Sequence, residues 1–121
     1  MDPIYTLQAD VLKVLASPRR LEILHLLAGG PCDVSRLARE IGISQPNLSQ
    51  HLAVMRTAGI VVAERDGREV SYRLADPDVM AACAIMRGFL HRRIDRLAGL
   101  AASRGDTVSA AASGGVAWSN R

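Results

Sequence analysis

The sequence is poor in aromatic residues. Phe, Trp and Tyr together make up 3% of its 121 residues. Any core must therefore be aliphatic, and an apolar fraction of 49% supplies the Leu, Ile, Val, Ala and Met for one. Cysteine is scarce as well: Cys32 and Cys83 are too few for a disulfide-built secreted scaffold. No apolar run approaches the roughly 20 residues that span a bilayer as a helix. "MDPIYTLQAD" has no basic stretch followed by an apolar one, so no secretory signal is expected. These absences point to a cytoplasmic protein with no membrane partner. The length suits one domain plus a tail.

Catalytic signatures are missing too. There is no Cys-x-x-Cys, no His-Glu-x-x-His, no phosphate loop and no nucleophile elbow. An enzyme is not expected. Lys13 is the only lysine among 15 basic residues, and the net charge is +3. Between positions 32 and 74, Arg36, Arg39, Arg56, Arg65, Arg68 and Arg73 face Asp33, Glu40, Glu64, Asp66 and Glu69. That is no basic patch by count. A claim of nucleic-acid binding must rest on where the charges lie.

What is present is strong periodicity. Ile4, Leu7, Val11, Leu12 and Leu15 recur at helical spacing. Ser17-Pro18 ends that helix and starts another, with Ser17 as N-cap and Pro18 at the first helical position. In "RRLEILHLLA" apolar residues point in nearly every direction, as in a helix covered on most sides. Gly29-Gly30-Pro31 closes it. "CDVSRLAREIG" places Val34, Leu37, Ala38 and Ile41 on one face, with Gly42 as a left-handed C-cap. Ser44 then caps a helix over 45–58 that buries Leu48, Leu52 and Met55. "IVVAERDGREVSYRL" reads as a hairpin about Asp66-Gly67. A long helix starts at Asp76-Pro77 and runs to about Ala102. Its seam of Val79, Cys83, Met86, Leu90, Ile94, Leu97 and Ala101 steps by three and four, near the repeat of paired helices. "GDTVSAAASGGVAWSNR" has no period and is read as a disordered tail, placed at 103–121, with Trp118 a stray residue in it.

The expected fold is mainly α with a small β-hairpin. The order is helix, helix, short helix, tight turn, helix, hairpin, long helix. Two helices joined by a short glycine-containing turn form a helix-turn-helix, and the hairpin adds a wing. In that geometry the second helix enters the DNA major groove, with its N-terminal residues at the base edges. Here Ser44, Gln45, Pro46, Asn47, Ser49 and Gln50 open the helix, and Ala53 and Thr57 continue its outer face. Gln and Asn can bond adenine bidentately, and Ser and Thr can bond a base or a phosphate. The helix N-terminus offers free N–H groups to a phosphate. Charge is left to the flanks: Arg36, Arg39, Arg56, and Arg65 and Arg68 at the hairpin tip. The alternative is a helical packing module with an incidentally polar face. His51, about 60° from the buried stripe, is read as structural.

"LASPRRLEIL", "LSQHLAVMRTAGIV" and "RDGREVSYRL" resemble the ArsR/SmtB family of bacterial winged-helix repressors, over about residues 8–100. The resemblance implies a homodimer joined through the first and last helices, Leu7 and Val11 with Val79, Cys83, Met86, Leu90, Ile94 and Leu97. It implies binding to a palindromic operator on double-stranded DNA, weakened by an inducer. Periodicity independently favours a dimer, because the last helix carries more apolar seam than so small a domain covers. The rival reading is a winged-helix protein acting mainly through a protein partner or co-regulator.

The family's effector motifs do not carry over. Its thiolate site reads Cys-Val-Cys-Asp-Leu-Cys, where this chain has Gly30-Pro31-Cys32-Asp33-Val34-Ser35. One thiolate cannot form a three-sulfur cage for arsenite or a soft metal. A second site, on the last helix, would need ligands at 78, 89 and 92, where Asp78, Phe89 and Arg92 stand. A third branch pairs a cysteine of the second helix with one of the last, and those positions hold His25 and His91. Two imidazoles near Asp95 would suit nickel, zinc or copper as the effector. The alternative is two unrelated histidines. The nickel-linked SrnR type of repressor in this family also lacks the standard motifs.

Overall fold

The computed structural model describes residues 1–104. They fall into two compact units, Met1–Met80 and a second beginning at Ala81. The division lies inside the long helix that the sequence reading assigned to a single domain over 1–102. The tail from 105, with Trp118, lies outside the described residues.

The first unit contains α1 (Pro3–Leu15), α2 (Pro18–Leu27), β1 (Cys32–Asp33), α3 (Val34–Ile41), α4 (Gln45–Thr57), β2 (Val61–Asp66) and β3 (Glu69–Leu74). Each helix starts where a short polar side chain satisfies a free backbone N–H. Asp2 accepts from Ile4, Ser17 from Arg20, Asp33 from Arg36 and Ser44 from Asn47. Proline follows the cap in α1, α2 and α4, where its missing N–H costs nothing.

The core lies where α2, α3, α4 and the base of the hairpin meet. Ile23, Leu24 and Leu27 from α2 are buried with Leu37, Ala38 and Ile41 from α3. Leu48, Leu52 and Met55 from α4 join them, with Ile60 and Val61 at the start of β2. The centre is α2, which touches α1, α3, α4 and β3. Its apolar residues on several faces have neighbours to meet. Every one of these core side chains is aliphatic, as the lack of aromatics requires.

Two local features differ from the sequence expectation. The sheet has three strands in the order β1-β3-β2, all antiparallel, instead of two. Cys32 and Asp33 pair with Tyr72 and Ser71, so the start of α3 is tied to the root of the hairpin. The hairpin loop is Gly67-Arg68, because Asp66 is still paired with Glu69. Gly67 adopts φ +63°, which fits a turn with glycine at its first central position. This puts Arg68 at the tip.

The final helix, α5 (Pro77–Arg104), spans 28 residues. The Asp76 carboxylate accepts from the Asp78 N–H at its start. Its apolar residues occupy two sides. Cys83, Leu90 and Ile94 are half-buried, whereas Ile85, Met86, Phe89, Leu97 and Leu100 are exposed.

Candidate nucleic-acid interface

The turn between α3 and α4 is three residues long, Gly42–Ser44. Gly42 takes φ +81°, and its N–H and that of Ile43 both donate to the Ala38 carbonyl. This is a left-handed C-cap that ends α3 abruptly. Ser44 then starts α4: its hydroxyl oxygen accepts from the Asn47 N–H at 3.2 Å. The hydroxyl hydrogen remains to donate outward. The Gln45 amide reaches back to α3, donating to the Ser35 hydroxyl at 3.2 Å. The two helices are locked by this bond and by the buried Leu37, Ile41, Leu48 and Leu52.

The opposite face of α4 is open. Ser44, Gln45, Pro46, Asn47, Ser49 and Gln50 are all exposed. None carries charge, and among the described residues none except Ser44 and Gln45 spends its side chain on a partner. Asn47 and Gln50 therefore keep their full amide donor and acceptor sets for a base edge. Ala53 and Thr57 lie further along the exposed side and also line a groove shared with α1.

The flanking arginines divide into two sets. Arg36 pairs with Glu40 on the same helix at 3.1 Å, and Glu40 raises its pKa by accepting from it. Arg73 on the wing is held by Glu64. Arg39, Arg56, Arg65 and Arg68 are exposed and form no ion pair among the described residues. Arg39 is on α3, Arg56 late on α4, and Arg65 and Arg68 are on the wing. Glu40 and Glu64, counted among the acids of this stretch, are each committed to an arginine.

Behind the open face, His51 and Arg20 join α4 to α2. The Arg20 guanidinium donates from Nε to His51 Nδ1 at 3.2 Å and from Nη1 to the Val14 carbonyl at 3.1 Å. His51 is structural, as its angle to the buried stripe suggested. Its partner Arg20 was not foreseen.

The effector residues proposed from sequence lie on two helices. His25 is half-buried on α2, and His91 and Asp95 are exposed on α5. Among the described residues no group of three or more His, Cys, Asp or Glu side chains is arranged to hold a metal ion. Burial pushes both Cys32 and Cys83 above the usual thiol pKa, with Arg36 and Arg87 opposing only in part, so both stay protonated at neutral pH.

Of the residues assigned to a dimer interface, Leu7, Met86 and Leu97 are exposed, while Val11, Val79, Cys83, Leu90 and Ile94 are partly buried. Ile85, at 74% exposure, and Phe89, at 55%, were missed. They lie off the regular three-and-four seam, although their size alone was a signal.

A helix-turn-helix with an uncharged reading face, a wing and unpaired flanking arginines defines a DNA-binding transcriptional regulator of the winged-helix class. Comparison with known proteins agrees. Residues 17–62 match the bacterial regulatory proteins of the arsR family. The HTH-type transcriptional regulator Rv0081 of Mycobacterium tuberculosis is 42% identical over 99 residues, which cover 80% of this chain and 87% of that one. The chain belongs to the arsR family of bacterial regulatory proteins. The crystal structure of Rv0081 superposes with a TM-score of 0.71 at 40% identity, covering 80% of this chain and 99% of that one. The homodimeric winged helix-turn-helix DNA-binding domain of Mb0332 from Mycobacterium bovis gives 0.72 at 31% identity, covering 79% and 92%. No helix among the described residues is long and apolar enough to cross a membrane.

Proposed function

We propose that the chain is a dimeric repressor that seats two copies of α4 in successive major grooves of a palindromic operator. The observation that carries this reading is the open face of α4. Asn47, Ser49 and Gln50 present exposed hydrogen-bonding groups, and Arg39, Arg56, Arg65 and Arg68 on α3, α4 and the wing are exposed and form no ion pair among the described residues. Asn47 and Gln50 read bases, Ser44 and Ser49 steady the helix end on a phosphate, and the arginines hold backbone. Arg36 contributes less because Glu40 already holds it. The Mb0332 domain is homodimeric, and the exposed Ile85, Met86, Phe89, Leu97 and Leu100 of α5 supply an apolar face for pairing two copies. Reading successive major grooves requires the two α4 helices of the dimer to lie about 34 Å apart, one turn of DNA.

A module that worked only through a protein partner would have no use for four free arginines around an uncharged helix. The discriminating experiment is a mobility-shift titration on promoter DNA at several salt concentrations. The repressor reading predicts a log K that falls steeply and linearly with log salt. Absence of any shift, with the protein folded and dimeric, contradicts it.

A further inference from the structure

Arg19 and Arg20 stand in the first turn of α2, where the helix dipole disfavours positive charge. Their bonds reach to the neighbouring helices. Arg19 Nη1 donates to Glu22 at 3.2 Å and to the Ile41 carbonyl at the end of α3 at 3.4 Å. Arg20 holds two helices at once. Its Nη1 donates to the Val14 carbonyl in the last turn of α1 at 3.1 Å, and its Nε donates to His51 Nδ1 on α4 at 3.2 Å. Both donors belong to one rigid plane, so the end of α1 and the middle of α4 are kept at a fixed spacing. His51 lies one turn beyond Asn47 and next to Gln50. The side chains proposed to read bases are therefore the ones displaced if this joint gives.

The joint has a second state. Nδ1 accepts only while it carries no proton. A proton there sets a donor against a donor, and a second positive charge against the guanidinium. The elements packed against α4 are α2, α3 and β2. The charged groups that act on His51 are Arg20 and Arg19, both on α2, and Arg19 is itself paired with Glu22. Burial first, then Arg20 and Arg19, hold the pKa of the ring below its ordinary 6.5. The bond is thus intact above pH 6.5 and is lost as pH falls through the lowered value.

We infer that Arg20 is a positioning residue for DNA recognition: bonded to Val14 and His51 together, it sets α4 at the angle at which Asn47 and Gln50 meet base edges, and it releases α4 when His51 takes up a proton. The DNA half of this inference rests on the repressor reading. The opening of the joint concerns the free protein.

The test has two arms, both on the full chain. In the first, the free protein is titrated from pH 8 to pH 5 and followed by nitrogen NMR. The Arg20 Nε–H signal and the backbone amides of Asn47 and Gln50 should shift together in one step with its midpoint below pH 6.5. In His51→Gln, which keeps an acceptor but does not titrate, the step should be missing. No step in the unsubstituted chain, or a step that persists in His51→Gln, overturns the opening.

In the second arm, a duplex selected from a random library and a scrambled duplex are titrated above and below that midpoint, with circular dichroism showing a folded protein at both. Preference for the selected duplex should fall about fivefold or more in acid, the worth of one net hydrogen bond. Histidine charge acting only on phosphates would instead strengthen binding to both duplexes. His51→Gln should keep its preference within about twofold over the same range. Arg20→Met, which keeps the apolar stem and loses both donors, should show the reduced preference already at neutral pH, with affinity for the scrambled duplex within about twofold of the unsubstituted chain. A preference that does not fall in acid, one that falls equally in His51→Gln, or a folded Arg20→Met dimer with undiminished preference overturns the positioning role. Failure to bind any duplex at neutral pH would instead count against the repressor reading, and the first arm still decides whether the joint opens.

Discussion

Arg20 donates to His51 across 3.2 Å, and this bond fixes the back of the reading helix to the central helix of the core. It requires His51 to be neutral, with Nδ1 as acceptor. Burial first, then the charges of Arg20 and Arg19, hold the His51 pKa below its ordinary value of 6.5. A lowered folded-state pKa means that the unfolded chain takes up the proton first. His51 therefore stabilises the fold above pH 6.5, and that contribution is lost as pH falls from 6.5 through the folded value. Urea unfolding at pH 7.5 and 5.5 should show a larger loss of stability for the unsubstituted chain than for His51→Gln, which keeps an acceptor but does not titrate. Equal losses would show that the bond is not pH-linked.

Neighbouring positions on α4 should separate stability from recognition. Leu52 is fully buried, and Leu52→Ala should cost about 2–5 kcal/mol of folding stability. Gln50→Ala, two residues earlier on the open face, should change stability by no more than about 0.5 kcal/mol. Chemical denaturation of the two variants checks both. A large stability loss in Gln50→Ala would mean that its side chain is structural.

Much of this was legible in the sequence, and the limits have physical causes. Helix starts were readable because an N-cap and a proline act within a few residues; Ser17, Ser44 and Asp76 all cap where their local sequence placed them. Gly42 was readable for the same reason. β1 was not, because a two-residue strand has no period and exists only through Tyr72 and Ser71, about forty residues on. Asp33 looked like one more acid near Cys32, yet it caps α3. Arg20–His51 and Gln45–Ser35 were invisible because no local rule joins residues on different helices. The α5 seam was half legible. The three-and-four pattern took in the exposed Met86 and Leu97 together with the half-buried Cys83, Leu90 and Ile94, and the exposed Ile85 and Phe89 lie off it.

The dimer should depend on that exposed side. Ile85→Glu with Phe89→Glu places two carboxylates on the exposed apolar face of α5. Sedimentation should show a dimer for the unsubstituted chain and a folded monomer for the double variant. DNA affinity should drop by at least about a hundredfold as the second half-site contact is lost. A variant that remains dimeric would move the interface to another surface.

The wing arginines should act on all DNA alike. Arg65→Ala and Arg68→Ala should weaken binding to specific and scrambled duplexes by similar factors. Each should reduce the salt slope by about 1 if it neutralises one phosphate. Arg36→Ala should matter less, because its guanidinium is already held by Glu40. Salt-dependent titrations on both duplexes measure this. A change confined to the specific duplex would assign the wing to base reading instead.

The most direct test concerns Asn47 and Gln50. The duplex preferred by the unsubstituted protein is selected from a random library, and a scrambled duplex of equal length serves as competitor. For Asn47→Ala with Gln50→Ala, the account predicts a folded dimer whose preference for the selected duplex falls by about 2–6 kcal/mol per half-site, one lost bidentate contact per residue at 1–3 kcal/mol each, while affinity for the scrambled duplex is nearly unchanged. Undiminished preference in the double variant would contradict it, because the exposed face of α4 would then not be what reads the DNA.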